Sequence, residues 1–211
     1  IRDEEKGRFW TITSSPINLG DEYKAVHGQG YSYFEYNGFG LEQRQTVFVH
    51  RELPVKIYSM HFLNRSGKTR KLSVTACIEA ALGRDRKESV KFLSCGRGEG
   101  FIYVKRDNKY AYLYLSGEFE SCLDRDAFFG EGDITQPLGM RLKNLPEGEG
   151  INPFLAGRMF FEVGNETEVW GALGYAESLE EAARHIERIK AQGVFECLED
   201  IKSFWDERLD V

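Results

Sequence analysis

Apolar and polar side chains alternate with a period of two through most of this chain. The alternation breaks where Gly, Asn and Asp cluster, which is the pattern of short strands joined by polar turns. Tyr31-Ser32-Tyr33-Phe34-Glu35-Tyr36 runs into Asn37-Gly38, and Leu41 to His50 resumes with Val47 and Val49 on one face, so a hairpin is predicted there. Val55 to Leu63 and Lys71 to Ile78 flank Asn64-Arg65-Ser66-Gly67-Lys68, whose turn chemistry predicts a second. Gly100 to Val104 and Tyr110 to Leu115, around the polar Lys105 to Lys109, give a third, and Arg158 to Val163 with Glu168 to Tyr175, around Gly164-Asn165-Glu166, a fourth. Strands of this kind bury one face on a second layer, so the expectation is an all-β fold of two stacked antiparallel sheets from about residue 8 to 176.

The period changes at Ser178-Leu179-Glu180-Glu181, a capping-box spacing in which serine and glutamate satisfy free backbone donors. Leu179, Ala182, Ala183, Ile186 and Ile189 recur at helical spacing up to Gly193, and Phe195, Leu198, Ile201 and Trp205 follow, predicting helices over 178–192 and 195–208. Residues 1–176 therefore form a β domain and 177–211 a helical linker.

The 211 residues are 41% apolar and 29% charged, a globular composition. Thirty-four acidic against 28 basic residues give a net charge of -6, with no basic face for nucleic acid or an anionic membrane surface. No apolar run approaches the length of a membrane span, and the start has no secretory pattern. Ile1 in place of an initiator Met points to a chain that begins inside a larger sequence, and Leu209-Asp210-Val211 stops without a polar linker.

Cys77, Cys95, Cys122 and Cys197 form no C-x-x-C pair and are expected as buried thiols of a reducing compartment. His27, His50, His61 and His185 lack metal-ligand spacing. Gly96-Arg97-Gly98-Glu99-Gly100 lacks phosphate-loop spacing, carries Glu99 where an anion would sit, and is expected as a turn. The carboxylates are scattered, and no pair is marked out for glycosidic chemistry.

Two segments combine glycine, aromatic and polar residues. In His27-Gly28-Gln29-Gly30-Tyr31, His27 and Gln29 could donate to sugar hydroxyls while Tyr31 offers a stacking face; alternatively the glycines serve a loop-to-strand turn. In Asp124-Arg125-Asp126-Ala127-Phe128-Phe129-Gly130, Asp124 and Arg125 could contact a ligand beside an aromatic anchor, or form a structural ion-pair knot. Both segments are expected on one functional side of the sandwich.

The order of motifs resembles the amino-terminal β-supersandwich domain of glycoside hydrolase family 94, formerly glycosyltransferase family 36. Arg2-Asp3-Glu4-Glu5-Lys6-Gly7-Arg8-Phe9-Trp10 is similar to the family's opening, and His27 to Ser32, Pro54 to Ile57, Leu63 to Gly67, Lys71 to Thr75 and Asp124-Arg125-x-x-Phe128-x-Gly130 follow. Ser203-Phe204-Trp205-Asp206-Glu207-Arg208-Leu209 resembles the segment that precedes the family's barrel. Phe129 and Glu131 depart from a family Leu and Arg, and Asn152 and Phe154, in Gly150-Ile151-Asn152-Pro153-Phe154, from a family Asp and Cys.

The resemblance implies a galactose-mutarotase-like supersandwich followed by an (α/α)6 catalytic barrel. It implies a non-catalytic domain of a cytoplasmic β-glucoside or β-glucan phosphorylase, or of a cyclic β-1,2-glucan synthase, that scaffolds the barrel and shapes its substrate channel. No cofactor is expected here, and inorganic phosphate would bind in the parent's catalytic domain. The implied partners are that barrel, a β-glucan or oligosaccharide, and a second copy of the chain in a homodimer. A free-standing carbohydrate-binding module and an aldose epimerase-like enzyme are the alternatives.

Overall fold

The computed structural model describes residues 1–83, 90–148 and 152–209. Its strands are β1 (Arg2–Asp3), β2 (Tyr23–His27), β3 (Tyr31–Gly38), β4 (Leu41–Val49), β5 (Val55–Asn64), β6 (Arg70–Ile78), β7 (Ser94–Arg97), β8 (Phe101–Arg106), β9 (Lys109–Leu115), β10 (Phe119–Asp124), β11 (Pro153–Val163) and β12 (Glu166–Ala176). Short helices α1 (Arg125–Phe129) and α2 (Leu138–Arg141) follow β10, and α3 (Leu179–Gln192) and α4 (Val194–Leu209) follow β12. The strands form two antiparallel sheets, a large one in the order β2-β3-β4-β5-β12-β9-β8-β7 and a small one in the order β1-β6-β11-β10. The all-β supersandwich with two C-terminal helices is thus observed, with the first strand at Arg2 rather than near residue 8.

Two of the four predicted hairpins are present. In the first, Gly38 pairs with Leu41, so the loop is Phe39-Gly40, two residues beyond the Asn-Gly signal. Both loop residues take left-handed angles, φ 57° and 78°, as a tight primed turn requires. In the third, Arg106 pairs with Lys109 around Asp107, φ 54°.

The other two are corrected. β5 lies between β4 and β12 in the large sheet, whereas β6 lies between β1 and β11 in the small one. β11 and β12 likewise belong to different sheets. The polar connections at 64–68 and 164–165 are arches between layers, and they pack together. Asn64 N–H donates to the Asn165 carbonyl at 2.8 Å, and Asn64 Nδ2 reaches the Val163, Gly164 and Lys68 carbonyls at 2.9, 2.7 and 2.8 Å.

Between the sheets lies an apolar core that includes Trp10, Tyr36, Met60, Phe62, Leu72 and Met159. Outside the large sheet, α3 and α4 bury Ala182, Ile186, Ile189, Cys197 and Ile201 against Phe48, Ile57, Tyr112 and Ala172. Ser178 caps α3 by accepting from Glu181 N–H, while Glu181 reaches back to Glu177 N–H, one residue before the cap. Outside the small sheet, α1 and α2 pack Phe128, Phe129 and Met140 on Cys122, Phe154 and Ala156. All four cysteines are free thiols. Cys122 and Cys197 are buried and Cys95 is half-buried, but Cys77 is exposed, because its side chain projects from the outer face of β6.

A buried polar network joins the layers. Asp3 accepts from Glu5 and Lys6 N–H, both at 3.0 Å, and pairs with Arg70 at 2.6 Å. Arg70 also donates to the Phe39 carbonyl at 2.6 Å, tying β6 to the β3–β4 turn of the opposite sheet. Burial raises the Asp3 pKa, but Arg70 and the two backbone donors outweigh it, and the net shift is downward. Asp3→Ala should lower the unfolding free energy by about 3–5 kcal/mol, the usual loss when half of a buried pair is removed. Glu162→Ala, which removes an exposed partner 3.9 Å from Lys71, should change it little. Urea titration checks both.

Candidate functional site

The His27–Tyr31 segment is a hairpin tip. His27 pairs with Ser32, Gly28 N–H donates to the Tyr31 carbonyl at 2.9 Å, and Gln29-Gly30 form the loop. Each glycine has a steric reason. A Cβ on Gly28 would come within 2.3 Å of the Tyr31 ring, and one on Gly30 within 2.5 Å of the Trp205 indole and 2.7 Å of Ile201. Gly30 also has φ +81°, where a side chain is strained. The same device recurs at Gly98-Glu99-Gly100-Phe101, where the Phe101 ring lies against Gly98, Gly98 N–H donates to the Phe101 carbonyl at 2.8 Å, and Gly100 has φ +76°. The turn expected in the glycine-rich stretch lies at 98–100, whereas Gly96 and Arg97 end β7, paired with Tyr103 and Ile102.

The tip is clasped by the last helix. Trp205 and Ile201 of α4 sit on Gly30, and the Lys202 ammonium lies 5.4 Å from the centre of the half-buried Tyr31 ring. Tyr31 thus packs half-buried among the helix side chains with a lysine over its ring, which differs from an open stacking platform. His27 and Gln29 are exposed. His27 Nδ1 lies 2.8 Å from Ser32 Oγ, leaving the other ring nitrogen and the Gln29 amide at the surface. Two motifs that the sequence separates by some 170 residues, His27–Tyr31 and Ser203–Leu209, are therefore neighbours; the contact of Trp205 and Lys202 with the hairpin was not foreseen, although a glycine at such a tip signals close approach by something.

Asp124 and Arg125 are placed elsewhere. Asp124 is the N-cap of α1, its Oδ1 accepting from Asp126 and Ala127 N–H at 2.8 and 2.9 Å. Arg125 pairs with Glu79, lies 3.7 Å from Asp126, and stacks 4.8 Å from the Phe129 ring centre. The local arrangement is that of the ion-pair knot. The expectation of one shared side is corrected as well. Tyr31 belongs to the layer outside the large sheet and α1 to the layer outside the small one, because their strands face outward in opposite directions.

The departures from the family pattern meet at α1. Phe154 lies 5.1 Å from Phe128 and 5.5 Å from Phe129, and Asn152 donates to Asp126 at 3.0 Å. Gly150 and Ile151 fall outside the described residues. Also unforeseen was Arg158, fully buried on β11, which donates to the Gly139 and Leu142 carbonyls at 2.5 and 3.0 Å and to Thr75 at 3.1 Å, pinning α2 to the small sheet. Its signal was an arginine at an alternating position of a strand whose neighbours are all apolar.

Among the described residues no group of three metal-ligating side chains converges, and no helix is long and apolar enough to cross a membrane. His61 pairs with Glu166 at 2.5 Å on the exposed face. Two buried histidines hold α3 to the sheet. His50 Nδ1 accepts from Glu52 and Leu53 N–H at 3.1 and 3.2 Å, and its Nε2 lies 3.3 Å from Gln192. His185 Nδ1 lies 3.2 Å from the Tyr112 hydroxyl, with Glu181 3.8 Å from its other nitrogen.

A profile model described as "Glycosyl hydrolase 94, supersandwich domain" matches residues 1–192. The cyclic beta-(1,2)-glucan synthase NdvB of Rhizobium meliloti (strain 1021) is 28% identical over 87% of this chain and 7% of its own length. The solabiose phosphorylase of Paenibacillus borealis is 35% identical over 55% of this chain and 13% of its own. This chain therefore spans only a small part of these relatives. Among solved structures, a bacterial glucoamylase complexed with acarbose superposes with a TM-score of 0.56 over 88% of this chain and 28% of that one, at 14% identity, a likeness of fold alone.

Two outcomes follow from the geometry. Gly30→Ala should destabilise the chain by about 2 kcal/mol or more, since a left-handed angle alone costs a side chain about 1–2 kcal/mol. In a Trp205→Ala background the same change should cost less, and a double-mutant cycle by chemical denaturation measures that coupling. Burial pulls the His50 and His185 pKa values down, reinforced at His50 by Arg188 and at His185 by Arg184, and opposed by Glu52, Asp200 and Glu181. Protons then bind the unfolded chain more readily, so stability should be full above about pH 6.5, the free-histidine value, and fall as the pH drops below it. Thermal midpoints across that range, with a shallower fall in His50→Gln, test the assignment.

Proposed function

Because this chain belongs to glycosyl hydrolase family 94 through its supersandwich domain, we propose that it serves as a non-catalytic domain of a larger, cytoplasmic carbohydrate-active enzyme. The parent is a β-glucoside or β-glucan phosphorylase or a cyclic β-1,2-glucan synthase, and inorganic phosphate, where it is used, binds in the catalytic barrel. The supersandwich carries that barrel and lines the approach of its oligosaccharide.

The observation that carries this reading is the clasp between α4 and the β2–β3 tip. Trp205 and Ile201 lock the last helix onto Gly30, so the direction in which the chain leaves the sandwich is fixed relative to His27 and Gln29. A helical domain continuing from α4 would start beside those two exposed polar groups. They suit the hydroxyl-rich surface of a sugar, to which an amide and an imidazole both donate and accept. Tyr31 supports the tip from below. Asp124 and Arg125, both half-buried, remain candidates for a domain contact on the opposite layer.

In the full-length enzyme, Gln29→Ala should raise KM for the oligosaccharide about five-fold or more, with the thermal midpoint unchanged. Arg125→Ala should act through domain contact, lowering kcat and KM performance together without a change in sugar preference. The 211-residue chain alone should neither release nor consume phosphate with cellobiose, sophorose or longer β-1,2-glucans. Turnover by that chain would overturn the proposal, mutarotation would favour the epimerase, and tight saccharide binding without any activity in the longer protein would favour a binding module.

A further inference from the structure

A cavity of about 240 Å³ opens between the two sheets beside β6. One wall is the run Val74 to Ile78, the facing wall is Thr11 to Thr13, and the floor is formed by inward side chains of the large sheet, among them Tyr58, Leu113 and Leu173. The walls are those of a strand-wide slot. Strand β1 already occupies its beginning. On one side Arg2 pairs with Ser73 and Asp3 with Leu72. On the other, Ile1 and Trp10 exchange both backbone hydrogen bonds at 2.9 Å, and Arg2 bridges Phe9.

Beyond Ser73 no described strand pairs with this edge of β6, although its other edge is paired with β11 as far as Ile78. In an antiparallel ladder, alternate residues turn both N–H and C=O to the same neighbour. Glu4 N–H donates to the Lys71 carbonyl at 2.9 Å, so Lys71 and Ser73 face β1, and by the same alternation Thr75 and Cys77 face the slot. Val74, Ala76 and Ile78 point inward over the floor. An unpaired edge above an apolar floor is an exposed template for a further strand, and folded proteins cover such edges.

We propose that the slot is filled by an extended segment that continues β1 beyond Ile1, supplied by the residues that precede it in the longer polypeptide. This rests on the longer-chain reading above, but not on the sugar or the reaction. The register follows from the pairs already made. The residue next to Ile1 faces Thr75 and Thr11, and the one before that faces Ala76 and Ile12. Since Ile1 points into the core, every second residue of the segment does so too, and these positions should be apolar. The five residues of the wall span about 17 Å at strand rise. The ligand is thus a β-strand with alternating apolar residues, added antiparallel to β6, in which main-chain hydrogen bonds give affinity and the inward pockets give register.

The test compares the 211-residue chain with the same chain carrying about ten of its natural preceding residues, by amide hydrogen exchange and thermal unfolding. The extended chain should protect the Thr75 and Cys77 amides at least 100-fold more and unfold several degrees higher. Cys77→Pro removes one slot-facing donor from an otherwise free edge, so it should be tolerated in the short chain and cancel the gain in the extended one. Equal exchange at Thr75 and Cys77 in both chains would overturn the proposal. So would concentration-dependent protection of these amides in the short chain, accompanied by dimers in sedimentation, which would make a second copy the occupant. Neither readout involves sugar or turnover, so failure here and failure of the proposed function are separable.

Discussion

The buried pair of Asp3 and Arg70 is the constraint on which the closure of the sandwich depends. Each charge is removed from water, and such a pair is sustained only when its remaining hydrogen-bonding capacity is satisfied. Asp3 meets that condition through Glu5 and Lys6 N–H, and Arg70 through the Phe39 carbonyl. Phe39 sits at φ 57°, an angle a side chain adopts at some cost, and Arg8 lies over its ring at 4.8 Å. One ion pair therefore fixes β1 beside β6, sets the small sheet over the β3–β4 turn, and brings Trp10 under the same turn, 4.8 Å from Phe39, where its indole N–H donates to Gln43 at 2.7 Å. The intersheet core is assembled around that corner.

Alternation and turn chemistry were enough to read the strands, the two layers and the terminal helices, because each of those depends on residues within a few positions. Sheet membership does not. Asn64 to Lys68 has the composition of a hairpin turn, yet it carries the chain across the core, since β5 finds better partners in β4 and β12 and β6 in β1 and β11. The sign that could have exposed this is Asn64, whose amide is committed to carbonyls of the second arch about a hundred residues away. The Asn37-Gly38 signal was displaced for a related reason. Asn37 pairs with Glu42 inside the ladder, and the tight turn falls where Arg70 can hold the carbonyl of Phe39.

The candidate site was legible as chemistry and illegible as place. Gly-x-Gly followed by an aromatic at 28–31 and again at 98–101 is a turn in which the first glycine makes room for the ring and the second supplies a left-handed angle. Its repetition at a second tip, where Arg97 and Glu99 stand in the places of His27 and Gln29, argues that the glycines belong to the turn and that whatever distinguishes the two tips lies in their polar side chains. Trp205 could be seen as an amphipathic helix residue, but which strand it would cover required the sheet order. Asp124 is a similar case: a carboxylate two and three residues before free N–H groups is a cap in any sequence, and the aromatic pair after it drew attention to ligand chemistry instead.

The family departures show how the two outer layers divide. Phe129 and Phe154 meet edge to face, 5.5 Å between ring centres, while the Asn152 amide donates to Asp126 at a place where a second carboxylate would repel it. These residues belong to one cluster, packed around α1 outside the small sheet. The layer outside the large sheet shares no residue with that cluster: its contacts run through Gly30, Ile201, Trp205 and the histidines that hold α3. Sites without shared partners act additively. A change in the α1 layer can therefore alter what docks on the small sheet without disturbing the tip that carries His27 and Gln29.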